Sequence, residues 1–411
     1  MSFYLLQRTS IATYKHIECI ESDEPPCPVI SNSLSHYLYD IKEKIDQYER
    51  EWDIHKKYTN PYEYIHTVVP MKKKCIAAHK PLSRSYFKMI EMMNMFNLKG
   101  DSKPLRSFHL AEGPGGFIEA LAQIRNCPHD SYIGMTILDK ENDPNIPAWK
   151  KTQQFLRNNP NVTIEVGEDK TGNILSIENF VGVKEKYGSS MDLITADGGF
   201  DFSLDFNSQE INITKLLFAQ ICFAVTMQKR GGSFILKIFD CFMQHTIDLL
   251  YILSSFYEKV YIMKPYTSRY ANSEKYIVCK GFLHASNVGF FPQLLSVFET
   301  TMNSEKHIHR FVNTPISHYF LYKLEEYNAI FGQQQIENIY FTISLIENKC
   351  KQDKILHLIK INIQKCISWC TKYNVPINHI PISVSNIFLD TIDAVDMVEP
   401  INAIIFDEQI S

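Results

Sequence analysis

Ser107-Phe108-His109-Leu110-Ala111-Glu112-Gly113-Pro114-Gly115-Gly116-Phe117 is the stretch on which the fold turns. An apolar run ends in a tight glycine turn, and Phe117, Ala120, Leu121 and Ile124 then recur at i, i+3, i+4 and i+7, one face of an amphipathic helix. Glycines let the backbone approach a ligand closely, and the helix N-terminus behind them leaves N–H groups unpaired. Strand, turn and helix together make a place for a small polar ligand at the end of a parallel sheet. The turn is not a phosphate-cradling loop, because no Gly-Lys-Ser/Thr follows. Gly113, Gly115 and Gly116 also miss the Gly-x-Gly-x-x-Gly spacing.

Downstream, strand and helix patterns alternate. Apolar runs at Phe108–Ala111, Tyr132–Leu138, Val162–Val166, Leu193–Ala196, Phe234–Phe239, Val260–Met263 and Tyr276–Cys279 read as strands. A helix over Glu210–Lys229 is expected to stop at Gly231-Gly232. Continuous apolar strands between helices predict an α/β fold, a mostly parallel sheet covered on both faces. No helix separates the last two strands, which suits an antiparallel edge pair. Functional residues should then lie just past the strands' carboxyl ends. Those positions hold Glu112 and Gly113, Asp139, Glu168 and Asp169, Asp197-Gly198-Gly199, and Lys237 with Asp240.

The flanks differ from this core. Asn32-Ser33 is placed to cap a helix through Tyr37, Leu38, Ile41, Ile45 and Tyr48, its charges read as a solvated face. Ser83–Met92 carries a helical pattern that includes Lys88, and Lys72-Lys73-Lys74 reads as a solvated loop or a phosphate-contacting patch. Past Pro292 the sheet rhythm stops, and Ile336 to Ile367 has long helical periodicity. The expected division is an N-terminal helical extension over 1–65, a catalytic-type α/β domain over 66–285 and a C-terminal helical region over 286–411. The C-terminal helices suit packing, a protein partner or RNA.

With 45 % hydrophobic and 21 % charged residues in 411, the chain has an ordinary globular composition. A formal charge of −4 excludes a global basic field, so nucleic-acid contact must come from local patches. No apolar run reaches membrane-spanning length and Met1–Ser10 lacks a signal-peptide core, which predicts a soluble intracellular protein, cytoplasmic or nuclear. The ten cysteines include no Cys-x-x-Cys; Cys366 and Cys370, four apart, read as small buried hydrophobes rather than metal ligands. No metal site is expected. Richness in Ile, Asn, Lys and Tyr suits an AT-rich genome, a viral one included.

Lys237 lies inside Phe234-Ile235-Leu236-Lys237-Ile238-Phe239, and a lysine in a buried strand is costly unless paired. Asp197 ends the neighbouring strand and could partner it. The run Lys264-Pro265-Tyr266-Thr267-Ser268-Arg269-Tyr270-Ala271-Asn272-Ser273-Glu274 brings a glutamate to the last strand's entry. With Lys88 these make two lysines and two carboxylates.

Together, Glu112–Phe117, the Asp197-Gly198-Gly199-Phe200 turn, the strand lysine and Lys264-Pro265…Ser268-Arg269…Asn272-Ser273-Glu274-x-Tyr276-x-Val278 resemble the FtsJ-type ribose 2′-O-methyltransferases over roughly residues 70–285. The resemblance implies a Rossmann-like, seven-stranded fold that uses S-adenosylmethionine, with Lys88, Asp197, Lys237 and Glu274 as a catalytic tetrad. The His109–Phe117 and Gly167–Ile174 segments look most like the mRNA cap branch, the second-nucleotide (Adrift-type) enzymes and their relatives in large DNA viruses. His109 stands where the ribosomal branch usually has an aspartate.

The implied reaction is attack of a ribose 2′-hydroxyl on the methyl of a sulfonium. A poor nucleophile must be positioned and relieved of its proton, and Lys237 is the expected base, with Asp197 orienting it and Glu274 fixing Lys88 or the ribose. Glu112, Gly113, Pro114, Gly115, Gly116 and Phe117 would hold the methionine end of the cofactor, Asp139 its ribose and Asp169 its adenine. Ser268, Arg269 and Asn272 would meet the RNA, expected to be a capped mRNA 5′ end. Competing readings are a methyltransferase of ribosomal or transfer RNA, one of base nitrogens or protein, and a non-catalytic RNA-binding or assembly subunit that keeps the fold. A scaffold gains nothing from a buried Lys-Asp-Lys set.

Overall fold

The computed structural model describes residues 3–100, 103–139, 148–199, 207–348 and 352–379. Ten strands occur among them: β1 Phe3–Leu6, β2 Ile17–Ser22, β3 Arg106–Leu110, β4 Ser131–Met135, β5 Val162–Glu165, β6 Met191–Ala196, β7 Gln228–Ile238, β8 Tyr257–Met263, β9 Lys275–Phe282 and β10 His307–Val312. Eight form one sheet in the order β1-β8-β9-β7-β6-β3-β4-β5. The β5-β4-β3-β6-β7 half is parallel, as the apolar runs and intervening helices require. The last two expected strands do pair antiparallel, as β8 and β9, but β9 sits between β7 and β8 rather than at the edge.

The sheet has eight strands, not seven, because the N-terminal segment is not all helical. Phe3–Leu6 pairs antiparallel with Val260–Met263 and closes the edge that β8 would otherwise expose. Beyond residue 285, β10 pairs with β2, so a strand precedes the expected C-terminal helices, His318–Glu347 and Gln352–Lys372. The Thr214–Met227 helix ends before Gly231-Gly232. Those glycines lie inside β7, where the register with β6 shifts, and Gly231 has a φ of +81°.

Strand alternation decides which side chains face which layer. Phe234, Leu236 and Ile238 of β7 pack with the helices Thr214–Met227 and Gln244–Phe256 on one face of the sheet. Ile235 belongs to the opposite cluster, with Tyr276 and Val278 of β9 and the helices Ser85–Met95 and Gly116–Arg125. Lys237, two residues from Ile235, therefore points to the layer that carries Lys88.

The flanking regions are built into the core. The expected N-terminal helix runs over Asn32–Glu43 and buries Leu38 and Ile41. Its Lys42 is not solvated. It is buried and meets Asp240 at 2.8 Å, because Asp240 at the end of β7 is itself buried and needs a cation. Cys366 and Cys370 are buried with Ile359, Ile363 and Trp369 in the cluster around Phe87, as small hydrophobes. Lys72, Lys73 and Lys74 are exposed. Among the described residues, no helix is long and apolar enough to cross a membrane.

Candidate active site

The four residues singled out in sequence converge at the carboxyl edge of the sheet as two linked ion pairs. Lys88, on the Ser85–Met95 helix, donates to Glu274 Oε2 at 2.8 Å. Lys237 Nζ donates to the Asp197 carbonyl at 2.8 Å and stands 3.3 Å from Asp197 Oδ1. Lys88 and Glu274 are buried, whereas the Lys237 and Asp197 side chains keep 12 % and 15 % of their surface. The Lys237–Asp197 pair is thus the one a ligand can reach.

Tyr276 joins the pairs. It lies directly across the antiparallel ladder from Lys237, which puts both side chains on one face. Its hydroxyl donates to Asp197 Oδ1 at 2.8 Å and accepts from Lys88 Nζ at 3.3 Å. Sequence reasoning quoted this residue in the Glu274-x-Tyr276-x-Val278 motif but gave it no role; its alternation with Glu274 was the available signal. Burial, with Asp197 and Glu274 beside it, pushes the phenol well up, so it stays protonated and keeps donating. Burial lowers the Lys88 ammonium from its ordinary value, opposed by Glu274 and Asp197. Burial alone would raise the Glu274 carboxyl, yet Lys88 and Lys237 hold it well below the carboxylate range.

The loop from β8 to β9 is pinned from inside. Lys264 Nζ donates to the carbonyls of Asn272 and Glu274, and Asn272 Oδ1 accepts from the Glu274 N–H at 2.5 Å. Ser268 is buried and donates to Glu274 Oε1 at 2.6 Å. Arg269 forms a two-pronged pair with buried Glu63, Nε to Oε2 at 3.0 Å and Nη2 to Oε1 at 2.7 Å. The three residues expected to meet RNA each make contacts within the protein. Ser268 turns inward and Arg269 neutralises a carboxylate from the N-terminal region, while Asn272 shapes the turn. Arg84, one turn before Lys88, lies among Arg269, Glu274, Glu63 and Tyr276, and burial lowers its guanidinium from the ordinary value. Like Lys264, it is a cation at this edge to which sequence reasoning gave no role.

Glu91, one turn beyond Lys88, sets the height of this loop. Its carboxyl accepts from the Tyr266 and Thr267 N–H groups, each at 2.8 Å, and from Trp369 Nε1 at 3.0 Å. Burial pushes it up to about 7, against those hydrogen bonds. A raised carboxyl binds its proton more tightly in the folded than in the unfolded chain. Its contribution therefore weakens as pH rises from the unfolded value near 4.5 to about 7, and is flat above. In Glu91→Gln that slope should vanish. The amide misdirects a donor at one N–H, so the variant should be less stable at pH 5, with the gap to wild type narrowing toward pH 7.5. Melting temperatures across pH 5–8 test this, and parallel curves would refute it.

The glycine turn stands beside the pairs. Gly115, at φ +112°, precedes the Gly116–Arg125 helix. A Cβ on Gly116 would fall 2.2 Å from Ser83 Oγ, so glycine there lets two helix N-termini meet. Glu112 Oε1 accepts from the Phe117 and Ile118 N–H groups at 2.8 and 2.9 Å. Burial pushes this carboxyl up to about 8, with Asp197 and Glu119 adding to the effect. His109 lies on the same face of the sheet as Ile235 and Lys237. It is buried between Ser107 Oγ and Thr195 Oγ1, and burial lowers it to about 3.

Asp139 pairs with Lys150 at 2.7 Å, and Asp169 Oδ1 accepts from Thr171 and Asn179. The parallel strands β3, β4, β5 and β6 are thus each followed by a carboxylate, Glu112, Asp139, Asp169 and Asp197. The β6 turn is nearly free of side chains; a Cβ at Gly199 would stand 3.1 Å from Lys237 Nζ. Phe200, quoted with that turn, lies outside the described residues. A cradle of open backbone with carboxylates along its length fits a cationic ligand that carries amine and hydroxyl groups.

Residues 81–282 match the family model described as FtsJ-like methyltransferase. Over 345 residues the chain is 29 % identical to the cap-specific mRNA (nucleoside-2′-O-)-methyltransferase 2 of Pongo abelii, a match covering 80 % of this chain and 44 % of that protein. It is 27 % identical over 270 residues to the protein of the same name from Drosophila melanogaster, covering 61 % and 36 %. Over 128 residues it is 41 % identical to the cap-specific mRNA (nucleoside-2′-O-)-methyltransferase 1 of Dictyostelium discoideum, covering 30 % and 17 %. The chain spans less than half the length of these curated relatives.

Proposed function

We propose that this chain, which belongs to the FtsJ-like methyltransferases through residues 81–282, methylates the ribose 2′-hydroxyl of a cap-proximal nucleotide of mRNA. The observation that carries the reading is the pairing of Lys237 with Asp197, backed by Tyr276, Lys88 and Glu274, beside the glycine turn. The names of the relatives support the cap as the substrate class.

S-adenosylmethionine would supply an electrophilic methyl group on a sulfonium. Gly113–Phe117 with Glu112 would hold its methionine end, Asp139 its ribose and Asp169 its adenine. A sulfonium and an ammonium suit the line of carboxylates described above. Lys237 takes the proton of the attacking 2′-hydroxyl, at the point where its Nζ leaves Asp197 for solvent. Asp197, held by Tyr276, orients that amine, and Lys88–Glu274 fixes Tyr276 from behind. RNA is the partner, and the methyltransferase sheet takes in Phe3–Leu6 as well as the expected 66–285 segment.

Methyl transfer from labelled S-adenosylmethionine to short RNAs, capped and uncapped, tests the substrate class. Label on the ribose of capped RNA only is the expected result. Equal transfer to uncapped RNA would move the assignment to ribosomal or transfer RNA.

A further inference from the structure

A cavity of about 290 Å³ lies beside the tetrad along the same edge of the sheet. Its walls include Tyr4 from β1, Tyr266 and Tyr270 from the β8–β9 loop and Phe331 from the His318–Glu347 helix, with Gln334 and Lys264 as polar lining. The rings are held in place. Tyr4 stacks on Tyr327 at 4.8 Å and meets Phe331 edge-on at 5.7 Å, and Tyr266 rests against Tyr62 at 5.0 Å. Lys264 Nζ is committed to two backbone carbonyls. The cavity thus offers fixed aromatic surfaces and an amide, with its ammonium already engaged, and this favours a neutral planar ring over a phosphate.

The position is specific. The loop that carries Tyr266 and Tyr270 also carries Ser268 and Glu274. Strands β9 and β8 separate Lys237 from β1. At about 4.8 Å per strand, the cavity lies roughly 10–15 Å from Lys237, a span that single-stranded RNA covers in about one or two nucleotides.

We propose that this cavity receives a nucleobase of the substrate RNA, from a nucleotide next to the one whose ribose faces Lys237, stacked on Tyr266 and Tyr270. The proposal rests on RNA being the substrate. Tyrosine faces take unstacked bases in this way in single-strand recognition.

Binding of a 3′-labelled capped RNA, followed by fluorescence anisotropy with S-adenosylhomocysteine present, tests it without turnover. Tyr270→Ala should weaken RNA binding about 10-fold, the order expected for one lost stack, and leave S-adenosylhomocysteine binding unchanged. Tyr270→Phe should bind as wild type. Ile330→Trp, which fills the cavity from its exposed rim and removes no aromatic support, should weaken binding like Tyr270→Ala. An abasic nucleotide moved along the RNA should reproduce the loss at one position in wild type and cost nothing further there in Tyr270→Ala. Unchanged binding by Tyr270→Ala and Ile330→Trp, or fully additive penalties, would overturn the cavity assignment while methyl transfer by wild type still stood. If wild type bound S-adenosylhomocysteine but no RNA, the RNA reading would fail, and this inference with it.

Discussion

Lys237→Ala should lower single-turnover methyl transfer by about 10²–10⁴, the range for loss of a positioned general base, while S-adenosylmethionine binding changes little. The side chain is partly exposed and sits over a turn. Its removal leaves Asp197 with the Tyr276 hydroxyl, and the ladder between β7 and β9 intact. Melting temperature should therefore hold. Lys237→Arg should be nearly as slow, because a guanidinium keeps its proton and cannot act as base. Quenched-flow transfer and calorimetric cofactor titration together make the check. Rates within threefold of wild type for both variants would remove Lys237 from the chemistry.

Glu274→Ala should be the most destabilising single change at this edge. It strands the Lys88 ammonium, buried and left with the Tyr276 hydroxyl, and also unpairs Ser268. Removing one partner of a buried pair costs about 3–5 kcal/mol, which for a domain of this size lowers the melting temperature by roughly 10 °C. The double variant Lys88→Met/Glu274→Met replaces both charges with apolar groups of similar length. It should recover most of the lost stability and still fail in methyl transfer. Chemical denaturation of the three proteins decides the matter. If the single and double variants are equally unstable, the pair is not the unit described here.

The parallel half of the sheet was legible because its strands are buried on both faces and read as unbroken apolar runs. Asp197 and Lys237 stood out for a related reason, since polar residues at the ends of such runs have no packing purpose, whereas Lys88 and Glu274 joined them only through the family resemblance. What stayed hidden depends on partners far away in sequence. Nothing local in the sequence marks the pairing of Arg269 with Glu63, from the N-terminal region. Lys42 looked solvated because nothing local marks Asp240 as buried. β1 has four residues, two of them exposed, too few for a periodic signal. Glu91 and Tyr276 were in view but carry no pattern of their own; only the crossing of helix, loop and strand gives them work.

The antiparallel docking of Phe3–Leu6 onto Val260–Met263 also has a temporal side. Roughly 250 residues must be made between the two, and at about 5–20 residues per second the first strand waits on the order of 13–50 s for its partner. During that interval Phe3-Tyr4-Leu5-Leu6 has no sheet to join. β2 waits longer still, for β10, and the wall that Tyr4 gives the aromatic cavity exists only once β9, which ties β8 to the rest of the sheet, has also been made.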